Sequence, residues 1–241
     1  MNKIIIALDY PSENTVLDFL AKFDNEPLFL KVGLELYYST GNSLLYKLKE
    51  KGHSIFLDLK LHDIPNTVGR AMEALAQLDI DLINVHASGG RAMMESALAG
   101  LEKGTACGQK RPKLIAVTQL TSTSEQMMQQ QLKINDTIDN VIVHYAKNAA
   151  AARLDGVISS PLEVPLIKAV CGKDFLTVTP GIRCLGDAKD DQERITTPKQ
   201  ARQLGSDFIV VGRSITKSAD PLTTYLNIKK EWSEASETSI S

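Results

Sequence analysis

The chain has 241 residues, 43% of them hydrophobic and 23% charged, an ordinary globular composition that fits one large α/β barrel or two smaller domains. Lys and Arg number 27 against 29 Asp and Glu. At a net charge of −2 there is no global basic field to draw in nucleic acid, although a local cluster of donors could still hold a phosphorylated small molecule.

In chain order, the opening MNKIIIALDYP has an apolar run of only Ile4 to Leu8 before Asp9. That is too short for a signal peptide or a membrane span, so a soluble, cytoplasmic protein is expected. Three widely spaced cysteines, Cys107, Cys171 and Cys184, form neither a metal-type pair nor a disulfide framework, which fits a reducing compartment. Short β-rich runs then recur, at Lys3–Asp9, Leu28–Gly33, Ser54–Lys60, Asp81–His86, Lys113–Thr118, Asp155–Ser159, Phe175–Thr179 and Asp207–Gly212. Amphipathic stretches separate them: Ser12–Phe23, Leu36–Lys51, Pro65–Leu78, Arg91–Lys103, Thr137–Leu154, Leu162–Val170, Thr197–Leu204 and Asp220–Lys230. Ser12 ahead of Glu13, Pro65 in a first turn and the pair Asp220-Pro221 are helix-start signals. Strands alternating with helices imply parallel βαβ units, and eight of them match a single (β/α)8 TIM barrel. A doubly wound open sheet would need a Gly-rich turn after its first strand, where this chain has LDYPS. No composition break marks a second domain, so residues 1–232 read as one barrel domain and residues 233–241, small and polar, as a frayed tail.

In such a barrel, chemistry belongs at the C-terminal ends of the strands. Those ends carry Asp9, Lys31, Asp58 with Lys60, Asn84 with His86, Thr118 and Thr121, Ser159-Ser160, TPGIR and VGRS, while the strand interiors are Ile, Val, Leu and Ala. Each residue taken singly has a bland explanation as a cap, a turn or a hydrogen-bonded core group. Their placement around one rim is harder to explain by packing. In FLDLKLHDIPNT, alternation puts Asp58, Lys60 and His62 on one face and Leu57, Leu59 and Leu61 on the other. A lysine between carboxylates favours its ammonium form, which suits a proton donor or an electrostatic stabiliser better than a Schiff base. A mere ion-pair network closing the barrel top is the competing reading. Asp58, His62 and His86 are metal-ligand types, yet Lys60 beside Asp58 would repel a dication, so no metal site is expected. TPGIR and VGRS offer Gly N–H groups beside Arg183 and Arg213 after strands seven and eight, where barrels commonly bind phosphate. The long polar stretch after Arg183 reads as a solvated loop or, given its place, a lid.

The segments IIIALD, FLKVGLELY, FLDLKLHDIPNTV, NVHASGG, VTQLTS, VTPGIR and FIVVGRSIT, in this order, resemble the orotidine 5'-phosphate decarboxylase family over nearly the whole chain. The D-x-K-x-x-D element, Asp58 to Asp63, is the most specific of them. The resemblance implies loss of CO2 from orotidine 5'-phosphate to give UMP, the last step of pyrimidine synthesis, with no metal or organic cofactor. It implies a charged array of Lys31, Asp58, Lys60 and Asp63, in which Lys60 protonates C6 and Asp58 lies against the departing carboxylate. Asp9 and Lys31 are expected at the ribose hydroxyls, Thr121 at the base, and Gln192, Gly212 and Arg213 at the phosphate, with Arg183 close by. Asp63 and Thr67 are expected to reach a partner's site, making a homodimer with shared active sites. Two rivals stand beside this reading. One is a metal-dependent phosphosugar lyase or synthase of the same barrel group, which would usually place Glu where this chain has Phe56. The other is a non-catalytic nucleotide-binding protein on the same fold.

Overall fold

The strand IIIA, Ile4–Ala7, is buried at every position, as expected of a parallel strand covered on both faces. It is β1 of a closed barrel in which eight parallel strands pair in chain order and the eighth returns to the first. The computed structural model describes residues 2–24, 26–183 and 196–237. The stretch read as a lid, with Gln192 and Cys184, lies outside the described residues.

The strands are β1 (Ile4–Ala7), β2 (Phe29–Gly33), β3 (Ser54–Leu61), β4 (Leu82–His86), β5 (Lys113–Val117), β6 (Gly156–Ile158), β7 (Leu176–Thr179) and β8 (Phe208–Val211). The helices are α1 (Glu13–Leu20), α2 (Leu34–Thr40), α3 (Asn42–Glu50), α4 (Pro65–Leu75), α5 (Gly90–Gly104), α6 (Glu125–Gln130), α7 (Ile138–Ala151), α8 (Val164–Cys171), α9 (Pro198–Gln203), α10 (Arg213–Thr216) and α11 (Pro221–Glu237). The start signals act as expected: Ser12 accepts the Thr15 N–H, and Pro65 opens α4. The stretch expected as one helix, Leu36–Lys51, is two, because Gly41 at φ +60° turns the chain between α2 and α3. Helix α11 runs past Ser233, where a frayed tail was expected to begin, and Trp232 and Ala235 are buried against the barrel.

Period-two alternation divides the core into two layers. Ile5, Phe29, Phe56, Ile115, Val178 and Phe208 fill the barrel, with the rings of Phe29 and Phe208 edge-to-face at 6.0 Å. Ile4, Ile6, Leu30, Val32, Leu57 and Ile209 face outward into the helix layer. The floor of the barrel is fastened by one repeated device. Asp81, Asp155 and Asp207, each just ahead of an even-numbered strand, accept the N–H groups of Ile55, Leu114 and Thr177 on the preceding strand, at 2.8, 2.7 and 2.8 Å. Each also pairs with one cation: Lys49 at 3.1 Å, Arg111 at 2.6 Å and Lys168 at 2.6 Å.

Candidate active site

At the opposite rim the charges do not pair one to one. Asp9, just past β1, receives Lys31 Nζ from β2 at 3.1 Å. The same ammonium lies 3.5 Å from Asp58 Oδ2, while Lys60 Nζ donates to Asp58 Oδ1 at 2.7 Å. One buried carboxylate is thus held between two ammonium groups. Burial pushes the Asp58 pKa up, but the charges of Lys31 and Lys60 and the hydrogen bonds from Lys60 and Asn84 outweigh it and hold the carboxyl below its usual range. The geometry depends on small residues nearby. A Cβ on Gly33 would lie 3.2 Å from Lys31 Nζ, so glycine at the end of β2 leaves the ammonium its space.

Simple alternation does not describe the end of β3. Leu57 pairs with Ile83 and Leu61 with Val85, so Asp58, Leu59 and Lys60 stand opposite the single residue Asn84. In this bulge Lys60 adopts φ +51°, the left-handed region that non-glycine residues seldom enter. The leucines still turn to the helix layer as expected. His62 has left the strand. It is exposed and stacks on His86 at 5.8 Å. His86 Nδ1 in turn engages Ser88, accepting its N–H at 3.3 Å and lying 2.6 Å from its Oγ. Burial, with His62 and Lys60 nearby, lowers the His86 pKa. Among the described residues no group of three or more His, Cys, Asp or Glu side chains is arranged to hold a metal ion.

Two cavities meet at the array and share Lys31, Pro180 and Val210. The first, of about 220 Å³, is lined by Phe56, Asp58, Lys60, Gln119 and Thr121. The second, of about 410 Å³, is lined by Asp9, Tyr10, Gly181, Arg183, Gly212 and Arg213. Gly181, at φ +81°, makes the turn that carries the chain from β7 to Arg183. The guanidinium of Arg183 is nearly buried. Its Nη1 donates to the Ile182 carbonyl at 2.9 Å, and its Nε finds no acceptor among the described residues. A buried donor left unmatched costs free energy unless a ligand supplies the acceptor.

The structure therefore brings Asp9, Lys31, Asp58, Lys60, Thr121, Arg183, Gly212 and Arg213 to one rim. Asp63 and Thr67 are exposed. Asp63 Oδ1 accepts the Ile64 N–H at 2.6 Å and forms no ion pair with Lys31 or Lys60 of its own chain. Thr118 and the two serines just past β6 bond to nearby backbone: Thr118 Oγ1 donates to the Ile158 carbonyl at 3.0 Å, Ser159 Oγ to the Ser160 carbonyl at 3.2 Å, and Ser160 forms a capping box with Glu163. Gln119 and Asn84 carried no assigned role in the sequence reading. The signal for Asn84 was present, as the lone amide in the apolar strand LINVH.

Known proteins share this barrel and much of this sequence. Residues 2–228 match the family described as orotidine 5'-phosphate decarboxylase / HUMPS family. The orotidine 5'-phosphate decarboxylase of Bacillus cytotoxicus is 56% identical over 229 residues, covering 95% of this chain and 96% of that protein. The crystal structure of orotidine 5'-phosphate decarboxylase from Lactobacillus acidophilus matches with a TM-score of 0.87 at 44% identity, covering 96% and 99% of the two chains. That of an uncharacterized conserved protein from Geobacillus kaustophilus matches at 0.86 and 51%, covering 95% and 99%. The chain belongs to the orotidine 5'-phosphate decarboxylase / HUMPS family.

Proposed function

We propose that this chain is a carboxy-lyase that converts orotidine 5'-phosphate to UMP and CO2 in pyrimidine biosynthesis. The relatives' names and the family match support this activity, and the Lys31–Asp58–Lys60 array between two adjoining cavities is the observation that carries it. The C6–carboxylate bond breaks, its electron pair stays on C6, and Lys60 Nζ delivers a proton there before being reprotonated from solvent. No conjugated sink accepts the pair, so stabilisation must come from fixed charge. An ammonium held in place before the reaction supplies it without reorganisation. Asp58 is assigned to the departing carboxylate, Asp9 and Lys31 to the ribose, Thr121 to the base, and Gln192, Gly212, Arg213 and Arg183 to the phosphate. The phosphate takes no part in the chemistry, yet its binding energy can help assemble the site.

The exposure of Asp63 and Thr67 is compatible with their serving the site of a second copy, in a cytoplasmic homodimer. The free thiols of Cys107 and Cys171 suit that compartment. No described helix is long and apolar enough to cross a membrane. A dication is a poor fit, because both Asp58 oxygens already face ammonium groups and Phe56 stands where the metal-dependent relatives would need a carboxylate. The test is incubation of the purified protein with orotidine 5'-phosphate and EDTA, followed optically. Rapid UMP formation is expected. Activity that appears only when a divalent metal is added back would favour the phosphosugar-type rival, and nucleotide binding without turnover would favour a silent binding protein.

A further inference from the structure

Lys60 holds an unfavourable backbone conformation, and something must fix it there. A non-glycine residue is disfavoured in the left-handed region, where Cβ crowds the neighbouring carbonyl oxygen. The bulge also removes the regular ladder partner that the Lys60 N–H would have met on β4. The fully buried side chain of Asn84 supplies both remedies. Its Oδ1 accepts the Lys60 N–H at 2.7 Å, and its Nδ2 donates to Asp58 Oδ1 at 2.6 Å. The same Asp58 oxygen receives Lys60 Nζ at 2.7 Å. One amide therefore closes a loop through the backbone of Lys60, its ammonium and the carboxylate that orients it.

We infer that Asn84 is the positioning residue of the decarboxylation: it locks Lys60 in its left-handed bulge and fixes the rotamer of Asp58, so that the ammonium is aimed before substrate arrives. Asn84 reaches neither cavity among the described residues, so it acts through the other two groups and not on substrate. An amide is the side chain for the task, because it presents an acceptor and a donor from one rigid plane. Aspartate would keep the acceptor but set a second carboxylate against Asp58, and alanine would remove both bonds. This inference rests on the decarboxylase reading.

The experiment compares wild type, Asn84→Ala and Asn84→Asp for kcat, KM and affinity for UMP. A positioned acid that loses its support costs roughly 100-fold or more in rate, so Asn84→Ala should lower kcat by at least about that factor. UMP affinity, which reports the binding groups, should stay within about threefold. If Asn84→Ala fails to fold, the near-isosteric Asn84→Asp serves, with kcat expected to fall at least about tenfold. A folded Asn84→Ala with kcat within a few-fold of wild type, or a loss confined to KM, would overturn the assignment while wild-type turnover left the decarboxylase reading standing. A wild type that does not decarboxylate would take down both.

Discussion

The two rims of the barrel use the same residue types to opposite ends. On the floor, each of Asp81, Asp155 and Asp207 meets one principal cation and one strand N–H. Charge and hydrogen-bonding capacity are matched locally, and the result is a fastener. At the top, Asp58 meets two ammonium groups and an amide, and Lys60, two residues on, is strained. There the groups are held close by a bulge instead of a regular ladder. Matched pairs stabilise a fold, whereas a crowded array under backbone strain is the arrangement expected of a site.

Breaking each rim should give separable effects. The largest belongs to the top: Lys60→Ala should cut kcat by roughly 10⁴-fold or more, since one substitution removes both the proton donor and the electrostatic stabiliser. Next, Arg213→Ala should raise KM by about 10- to 100-fold with a smaller change in kcat, the expected loss for a charge-assisted phosphate contact. Competition by inorganic phosphate or UMP would check that the loss lies in binding. On the floor, Asp155→Ala removes the partner of Arg111 and of the Leu114 N–H. It should cost about 1–2 kcal/mol and lower Tm by roughly 3–8 °C while leaving kcat within about twofold. A large loss of kcat without a loss of Tm would erase the distinction between the rims.

The smallest expected effect is one of pH. Burial lowers the pKa of His53 on the floor, and burial with His62 and Lys60 nearby lowers that of His86 at the top. Below the ordinary histidine value of about 6.5 the unfolded chain binds protons that the folded chain does not. Stability should therefore decline as pH falls from that value through the folded-state values. Asp58 acts in the same direction in a more acidic window: its lowered pKa gives stability that is complete above the ordinary aspartate value and is lost as pH falls from there through the folded value. Denaturant titrations between pH 8 and 5 should show the histidine decline in wild type and a shallower one in His53→Gln.

Much of this contrast was legible in the sequence. The order of strands and helices, the apolar strand interiors and the charged strand ends follow from periodicity and from where ionisable residues interrupt it. The Asp58–Lys60 pair stood out because two charges in an apolar strand need partners. The bulge could not be read, because alternation assumes one residue opposite one, and only pairing with β4 reveals three opposite Asn84. The role of Asn84 was hidden for the same reason, since it depends on the register between β3 and β4, which local periodicity does not specify. Gly41 splitting α2 from α3 was the simpler miss, a left-handed turn within an otherwise continuous helical pattern.

Central to this reading is that Lys60 acts in the chemical step and not only in closing the barrel top. The most direct measurement is turnover of orotidine 5'-phosphate by Lys60→Ala at saturating substrate, with UMP affinity and Tm measured on the same sample. Loss of roughly 10⁴-fold or more in kcat from a protein that still folds is the expected result. Turnover within about tenfold of wild type would contradict it and return the array to a structural ion-pair network.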